Sequence, residues 1–189
     1  MGFHIESTHL GDVVALVADA FHDERGNFME TFRSDIFRQL GLPGEFVQDN
    51  QAFSTRGVIR GLHFQWDPPM AKLMRVVTGS AFLVAVDIRK NSPTRGKWFG
   101  IEASSESRRL VWAPAGFARG LCVTSECAYI QYKCTSLYNP KGEAGIRFDD
   151  PDIGVEWPGV TPPILSKKDR TAMSYAEWMA SPLSDHFKL

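Results

Sequence analysis

His63 lies in the run Arg60-Gly61-Leu62-His63-Phe64-Gln65, Lys72 follows closely, and Tyr132 and Asp169 come much later in the chain. These residue types supply a base, cations, an acid and a carboxylate partner. A neutral imidazole is the commonest biological base near pH 7, and a phenol is a usable proton donor when a site holds it in place. Lysine and arginine can hold an oxyanion. The set suits deprotonation and reprotonation at a carbon next to a ketone, where the difficulty lies in stabilising the enolate and delivering protons to a chosen face. An epimerase has that requirement, and none of these parts calls for a cofactor.

The elements that position them must come from a modest chain. Its 189 residues, 43% hydrophobic and 23% charged, suit a single domain spanning 1–189 with a substantial core. A formal charge of −1 provides no field to draw a nucleic-acid backbone, so a nucleic-acid partner is not expected. No apolar run approaches the roughly 20 residues that cross a bilayer, and His4, Glu6 and His9 interrupt the start where a signal peptide needs an apolar stretch. The expectation is a cytoplasmic protein without membrane attachment. Cys122, Cys127 and Cys134 are odd in number and lack Cys-x-x-Cys spacing, which suits reduced thiols better than disulfides or a zinc site.

Gly and Pro punctuate short segments rich in Val, Ile, Phe, Tyr and Trp, so the chain reads as predominantly β. Lys72–Val77 and Ala81–Ile88 flank Thr78-Gly79-Ser80, a connector suited to a hairpin. Further strands are predicted at Trp98–Ala103, Arg109–Trp112, Gly120–Thr124 and Ala128–Cys134. A short helix is predicted over Ser34–Leu40, with Ser34 as N-cap and Gly41 as stop. Near the C-terminus, Ser166 with Asp169 resembles a capping box, and Ser174 is placed to cap Tyr175–Met179. Many short strands with turn residues between them point to a sandwich, barrel or jelly roll.

Two segments resemble the paired motifs of cupins, small β-barrel relatives of the jelly roll. Gly57 precedes His63 at the first motif's spacing, and Pro114-Ala115-Gly116-Phe117-Ala118-Arg119 matches the second. A metal-binding cupin places His at the positions that are Gln65 and Arg119 here, and Arg stays protonated, so no metal ligand set is expected. The resemblance implies an all-β cupin jelly-roll barrel with short peripheral helices.

From about Phe21 to Asp169 the chain resembles the dTDP-4-dehydrorhamnose 3,5-epimerase family, metal-free cupin enzymes of dTDP-L-rhamnose synthesis. The blocks carrying the likeness include Asp23-Glu24-Arg25-Gly26, Glu30-Thr31-Phe32, Gln48-Asp49-Asn50, Arg60–Gln65 and Lys72. Tyr132-Lys133-Cys134-Thr135, Gly145–Pro151 and Ser166-Lys167-Lys168-Asp169 continue it. By that resemblance His63 is the base, Asp169 its hydrogen-bonded partner and Tyr132 the acid on the opposite face of the sugar, while Lys72, with Arg60, holds the enolate oxygen at C4. Gln48, Asn50, Arg60, Glu143 and Lys168 are implied to bind the substrate, and Tyr138 to stack on the thymine. Arg25 and Glu30 are implied to reach the neighbouring subunit's ligand in a homodimer.

Each residue has a plainer reading as well. Asp169 could only cap a helix, Tyr132 could be a core aromatic, Lys72 a solvated edge charge, and Arg25 and Glu30 surface ion pairs. Strict strand alternation puts His63 and Arg60 on opposite faces, so they share a site only if the strand departs from regularity, for which Gly61 is the place. The chain departs from the usual family pattern at Arg119, where the family usually has His, and at Ser136-Leu137, where Asp-Tyr is frequent, and these positions bear on the substrate and the number of inverted centres. Arg119 itself preserves a cation for substrate binding. The expected reaction is 3,5-epimerisation of dTDP-4-dehydro-6-deoxy-D-glucose to dTDP-4-dehydro-L-rhamnose. The alternatives are a single-centre epimerase of a related 4-keto sugar nucleotide, a metal-dependent cupin and a non-catalytic sugar-binding cupin.

Overall fold

The computed structural model describes residues 2–159 and 162–188. In chain order the strands are β1 (Phe3–His9), β2 (Val13–Ala18), β3 (Ala20–Asp23), β4 (Gly26–Met29), β5 (Gln48–Thr55), β6 (Ile59–Gln65) and β7 (Lys72–Thr78). They continue with β8 (Ser80–Asp87), β9 (Trp98–Ser104), β10 (Arg109–Ala113), β11 (Phe117–Val123), β12 (Cys127–Cys134) and β13 (Glu143–Gly145). Short helices α1 (Ser34–Gln39), α2 (Lys167–Arg170) and α3 (Tyr175–Ala180) lie outside the sheets.

A six-stranded sheet in the order β1-β2-β10-β7-β12-β5 faces a five-stranded sheet in the order β13-β6-β11-β8-β9, while β3 and β4 form a separate hairpin. The expected all-β jelly roll is borne out. Between the sheets, Val13, Met74, Val111 and Ile130 of one meet Leu83, Ala85, Phe117 and Leu121 of the other in one buried cluster. Strand β8 shows why its sequence is apolar at nearly every position. Leu83 and Ala85 face that inner core, whereas Val84 and Val86 face outward and are covered by Ile146, Ile153, Trp178 and Phe187. Both faces are therefore dry.

Two expectations are corrected. β7 and β8 are not a hairpin: β7 pairs with β10 and β12, and β8 with β9 and β11, so the chain changes sheet at Gly79. The turn there has φ +78°, and a Cβ would lie 2.1 Å from the Cys127 carbonyl oxygen, so Gly is required for the crossing. Ser34 is not an N-cap either. Arg33 occupies that position without a side-chain capping bond and instead pairs with Asp35 at 2.9 Å. The stop at Gly41 is borne out: at φ +76° it lets Leu42 N–H bond the Phe37 carbonyl at 2.8 Å and Gly41 N–H the Arg38 carbonyl at 3.1 Å. The predicted strand Gly120–Thr124 begins three residues earlier, at Phe117.

Candidate active site

One end of the space between the sheets stays open. An outer cavity of about 270 Å³ is lined by Gln48 and Asn50 of β5, His63 and Gln65 of β6, Lys72 of β7 and Tyr132 of β12, with Tyr138 and Glu143 at its rim. An inner chamber of about 200 Å³ shares His63, Lys72 and Tyr132 and adds Arg60 and Arg119. His63 thus approaches from one sheet and Tyr132 from the other.

Arg60 and His63 reach the same chamber because β6 is bulged. Against β11, His63 pairs with Arg119 and Arg60 with Leu121, so Gly61 and Leu62 together oppose the single residue Gly120. Gly61 takes φ +137°, and a Cβ there would come within 2.6 Å of Gly120 Cα, so no side chain is tolerated. The departure anticipated at Gly61 is present. Arg60 is then braced by β5, its Nε donating to Ser54 Oγ at 3.0 Å and its Nη2 to the Phe53 carbonyl at 3.2 Å.

His63 Nε2 lies 2.5 Å from Asp169 Oδ1, and the Asp169 side chain is 3% exposed. Burial pushes the Asp169 carboxyl up, but hydrogen bonds from His63 and Ser166 outweigh it and hold the group below the usual carboxylate range. The carboxylate fixes one imidazole nitrogen as a donor and leaves the other as the basic atom. Burial raises the Tyr132 phenol above its ordinary value, so it carries its proton at neutral pH. Lys72 is brought down to about 8, first by burial and then by the charge of Arg119. Burial also lowers Arg119, to about 10, and its Nη1 donates only to carbonyl oxygens, of Met70 at 2.8 Å and Pro114 at 3.5 Å. The chamber therefore gathers cations, and neither Lys72 nor Arg119 forms an ion pair with a carboxylate among the described residues. Such a site is prepared for negative charge on a bound molecule.

The rim is wired together. Gln48 Nε2 donates to Asn50 Oδ1 at 3.1 Å, and Gln48 Oε1 accepts Tyr138 N–H at 2.8 Å. Tyr138 Oη donates to Glu143 Oε1 at 2.7 Å, the oxygen that also takes Lys168 Nζ at 2.5 Å. The Tyr138 ring itself is exposed and free to cover a planar ligand.

Gln65, at a position where a metal-binding cupin carries His, spends its amide on backbone. Its Nε2 donates to the Pro68 and Leu137 carbonyls at 2.9 and 3.0 Å, and its Oε1 accepts Asn139 N–H at 2.9 Å. It thereby anchors the loop that presents Tyr138. Among the described residues no group of three His, Cys, Asp or Glu side chains is arranged to hold a metal ion.

All the candidate residues meet at or beside these cavities except Arg25 and Glu30. Arg25 sits at the tip of the β3–β4 hairpin, 85% exposed and paired with Asp23, and Glu30 lies 3.7 Å from Arg33. Sequence reasoning passed over Cys134, which lines the outer cavity and accepts from Asn50 Nδ2 at 3.6 Å, and read Ser166 only as a cap. A thiol carries no motif of its own. For Ser166, the spacing to Asp169 was the available signal.

Residues 7–177 match the family described as dTDP-4-dehydrorhamnose 3,5-epimerase. Over 170 residues, 89% of this chain and 92% of the relative, the sequence is 49% identical to a dTDP-4-dehydrorhamnose 3,5-epimerase of Methanothermobacter thermautotrophicus. It is 39% identical over 157 residues, 82% of this chain and 75% of the relative, to a dTDP-4-dehydrorhamnose 3-epimerase of Streptomyces niveus. Among solved structures, a dTDP-6-deoxy-D-glucose-3,5-epimerase of Legionella pneumophila in complex with dTDP-4-keto-L-rhamnose matches with a TM-score of 0.89 at 40% identity, covering 92% of this chain and 93% of that one. With the family matched over most of the chain and the relatives aligned across it, this protein belongs to the dTDP-4-dehydrorhamnose 3,5-epimerase family.

Proposed function

We propose that residues 1–189 act as one epimerase domain that converts dTDP-4-dehydro-6-deoxy-D-glucose to dTDP-4-dehydro-L-rhamnose by successive inversion at C3 and C5. The observation that carries the reading is the placement of His63 and Tyr132 on opposite walls of one cation-lined chamber. The unbonded nitrogen of His63 removes the proton from a carbon beside the C4 carbonyl, and the electron pair moves onto the C4 oxygen as an enolate. Lys72, Arg119 and the more exposed Arg60 stabilise that oxygen, and the burial of Arg119 makes its fixed charge act more strongly than in water. Tyr132 returns a proton to the other face and the carbonyl re-forms. Because C3 and C5 both flank C4, the same residues serve both centres once solvent has taken the proton from His63 and returned one to Tyr132.

Gln48, Asn50, Glu143 and Lys168 contribute the polar contacts to the sugar nucleotide, with the exposed Tyr138 ring against the thymine. The β3–β4 hairpin carries Arg25 together with Phe21 and Phe28, exposed by 52% and 62%, as a homodimer arm would. On this reading Arg25 and Glu30 serve the neighbouring subunit's ligand. The chemistry draws on side chains alone and takes no cofactor. Three unpaired thiols suit a reducing cytoplasm.

Incubation with the dTDP-4-keto sugar in D2O, followed by NMR, tests the assignment. Deuterium at both C3 and C5 with inverted configuration is expected. Deuterium and inversion at C3 alone would instead give the single-centre reaction named for the Streptomyces niveus relative.

A further inference from the structure

We infer that Ser166 is a positioning residue for the His63–Asp169 pair: its one hydroxyl caps α2 and also holds the second oxygen of the Asp169 carboxylate. This rests on the reading of His63 as the base. Ser166 stands at the N-cap of α2, where its Oγ accepts Asp169 N–H at 3.1 Å. The same Oγ donates its proton to Asp169 Oδ2 at 2.7 Å. Asp169 Oδ1 meanwhile faces His63 Nε2 at 2.5 Å. Both carboxylate oxygens are thereby committed, one to the serine and one to the imidazole.

The neighbouring cap in the same chain supplies the contrast. At α3, Ser174 Oγ accepts Glu177 N–H and donates to Glu177 Oε2 at 2.8 Å, and the same carboxylate oxygen turns back to accept Ser174 N–H at 2.7 Å, which closes a capping box. At α2 the equivalent carboxylate belongs to Asp169, one methylene shorter, and it points away from the N-cap backbone toward β6. Glu177 is exposed, whereas Asp169 is buried. The α2 arrangement has the cap of a capping box with its acid redirected to the base. The hydroxyl-to-carboxylate bond occurs at both caps, but at α2 the carboxylate that receives it is the one that also pairs with His63.

The consequence for the reaction follows from charge. With its Oδ2 donor removed, a buried carboxylate binds protons more avidly, and the pair takes up its proton at higher pH. A released carboxylate can also rotate, which loosens the ring of His63. Ser166 lines neither the outer cavity nor the inner chamber, so it makes no contact of its own with a ligand bound there. The groups facing the pair are Arg60, Lys72, Arg119 and Tyr132 on the chamber side, and Glu143, Lys168 and Glu177 on the other. None of them changes in a Ser166 variant.

The test compares Ser166→Gly, Ser166→Asp and Ser166→Thr with His63→Asn, reading kcat and KM for deuterium wash-in across pH, with Tm alongside. Glycine is tolerated at an N-cap and brings no proton, whereas aspartate caps as well as serine but sets a second carboxylate beside Asp169, whose like charge pushes the limb further up than glycine does. Ser166→Gly and Ser166→Asp are expected to lose roughly 10-fold in kcat at unchanged KM, with the acid limb moved up by roughly half a pH unit or more. Ser166→Thr restores the wild-type profile. A wild-type rate and limb in either Ser166→Gly or Ser166→Asp would overturn the inference, as would a slower enzyme whose limb has not moved. His63→Asn separates the two levels: if it keeps wild-type wash-in, the base assignment itself fails, and if it abolishes wash-in while the serine variants behave as wild type, only the role of Ser166 fails.

Discussion

Lys72 holds its ammonium 4.7 Å from the centre of the Tyr132 ring, and Arg119 reaches the same chamber from the facing sheet. The contact puts the cation of the proposed enolate site against the proposed acid. Burial brings both cations below their ordinary values, and for Lys72 the charge of Arg119 adds to it.

Lys72→Met is expected to lower activity and raise stability. The lysine titrates at about 8 in the fold against 10.5 ordinarily, because burial and Arg119 disfavour the charge. The unfolded chain therefore binds this proton more tightly, and the charged lysine costs stability below pH 8. That cost fades as pH rises from about 8 towards 10.5. At pH 7 the methionine variant should gain about 1 to 3 kcal/mol in denaturant melts, a gap that closes at high pH. Wild-type turnover should fall as pH rises through about 8 and the ammonium is lost. A variant no more stable at pH 7 would contradict the sign.

Tyr132→Phe is expected to damage stereoinversion more than deuterium wash-in. A carbon deprotonated by His63 can be reprotonated by His63 from the original face, which exchanges the label without inverting the centre. NMR on one sample reads both. Equal loss of exchange and inversion in a folded variant would reassign Tyr132 to enolate stabilisation or ring positioning.

Gly61→Ala removes the bulge that brings Arg60 round to His63. The new methyl would sit 2.6 Å from Gly120 Cα and 2.9 Å from the Arg119 carbonyl oxygen, at a φ of +137° that side chains rarely adopt. Relief requires β6 and β11 to part. A loss of about 3 kcal/mol or more in stability is expected, and the folded fraction should show impaired turnover. Wild-type kinetics in a fully folded Gly61→Ala protein would mean that the bulge does not matter to the site.

The chemistry of this site was easier to read in the sequence than the wiring of the fold. His63, Tyr132, Lys72 and Asp169 carry their roles in their functional groups, and of the strands that gather three of them around one chamber those of Lys72 and Tyr132 are legible as apolar runs. Periodicity states which residues share a face but not which strand lies alongside. The Gly79 turn therefore read as a hairpin when it carries the chain between sheets. The capping error at Ser34 has a similar origin, since a one-residue shift in a helix start exchanges a capping serine for an ordinary helical one. Gln65 was read by what it fails to ligate, while its three backbone partners depend on loops that meet only in the folded chain. The Gly61 irregularity was legible because two residues on one strand were asked to do one job.

Arg119→Met probes the residue at which this chain departs from the usual family pattern, and it makes a coupled prediction. Arg119 is 3% exposed, its Nη1 reaches only carbonyls and its Nε has no hydrogen-bond partner, so the charge is dehydrated without an anion to compensate it. Methionine keeps an apolar stem of similar reach, and stability should rise as the unpaired charge is removed. If the guanidinium holds substrate oxygens, transition-state stabilisation should fall by about 1 to 3 kcal/mol, seen in kcat/KM. The charge of Arg119 also helps depress Lys72, so without it the lysine should stay protonated to higher pH. The high-pH limb of turnover, about 8 in the wild type, should move upward in the variant. Arg119→His, assayed on the same panel of dTDP-4-keto sugars, then separates charge from shape: retained preference means the position supplies a cation, and altered preference means that the length of arginine selects the sugar. An Arg119→Met enzyme with unchanged rate, preference and pH limb would show that this guanidinium only braces the Met70 and Pro114 carbonyls.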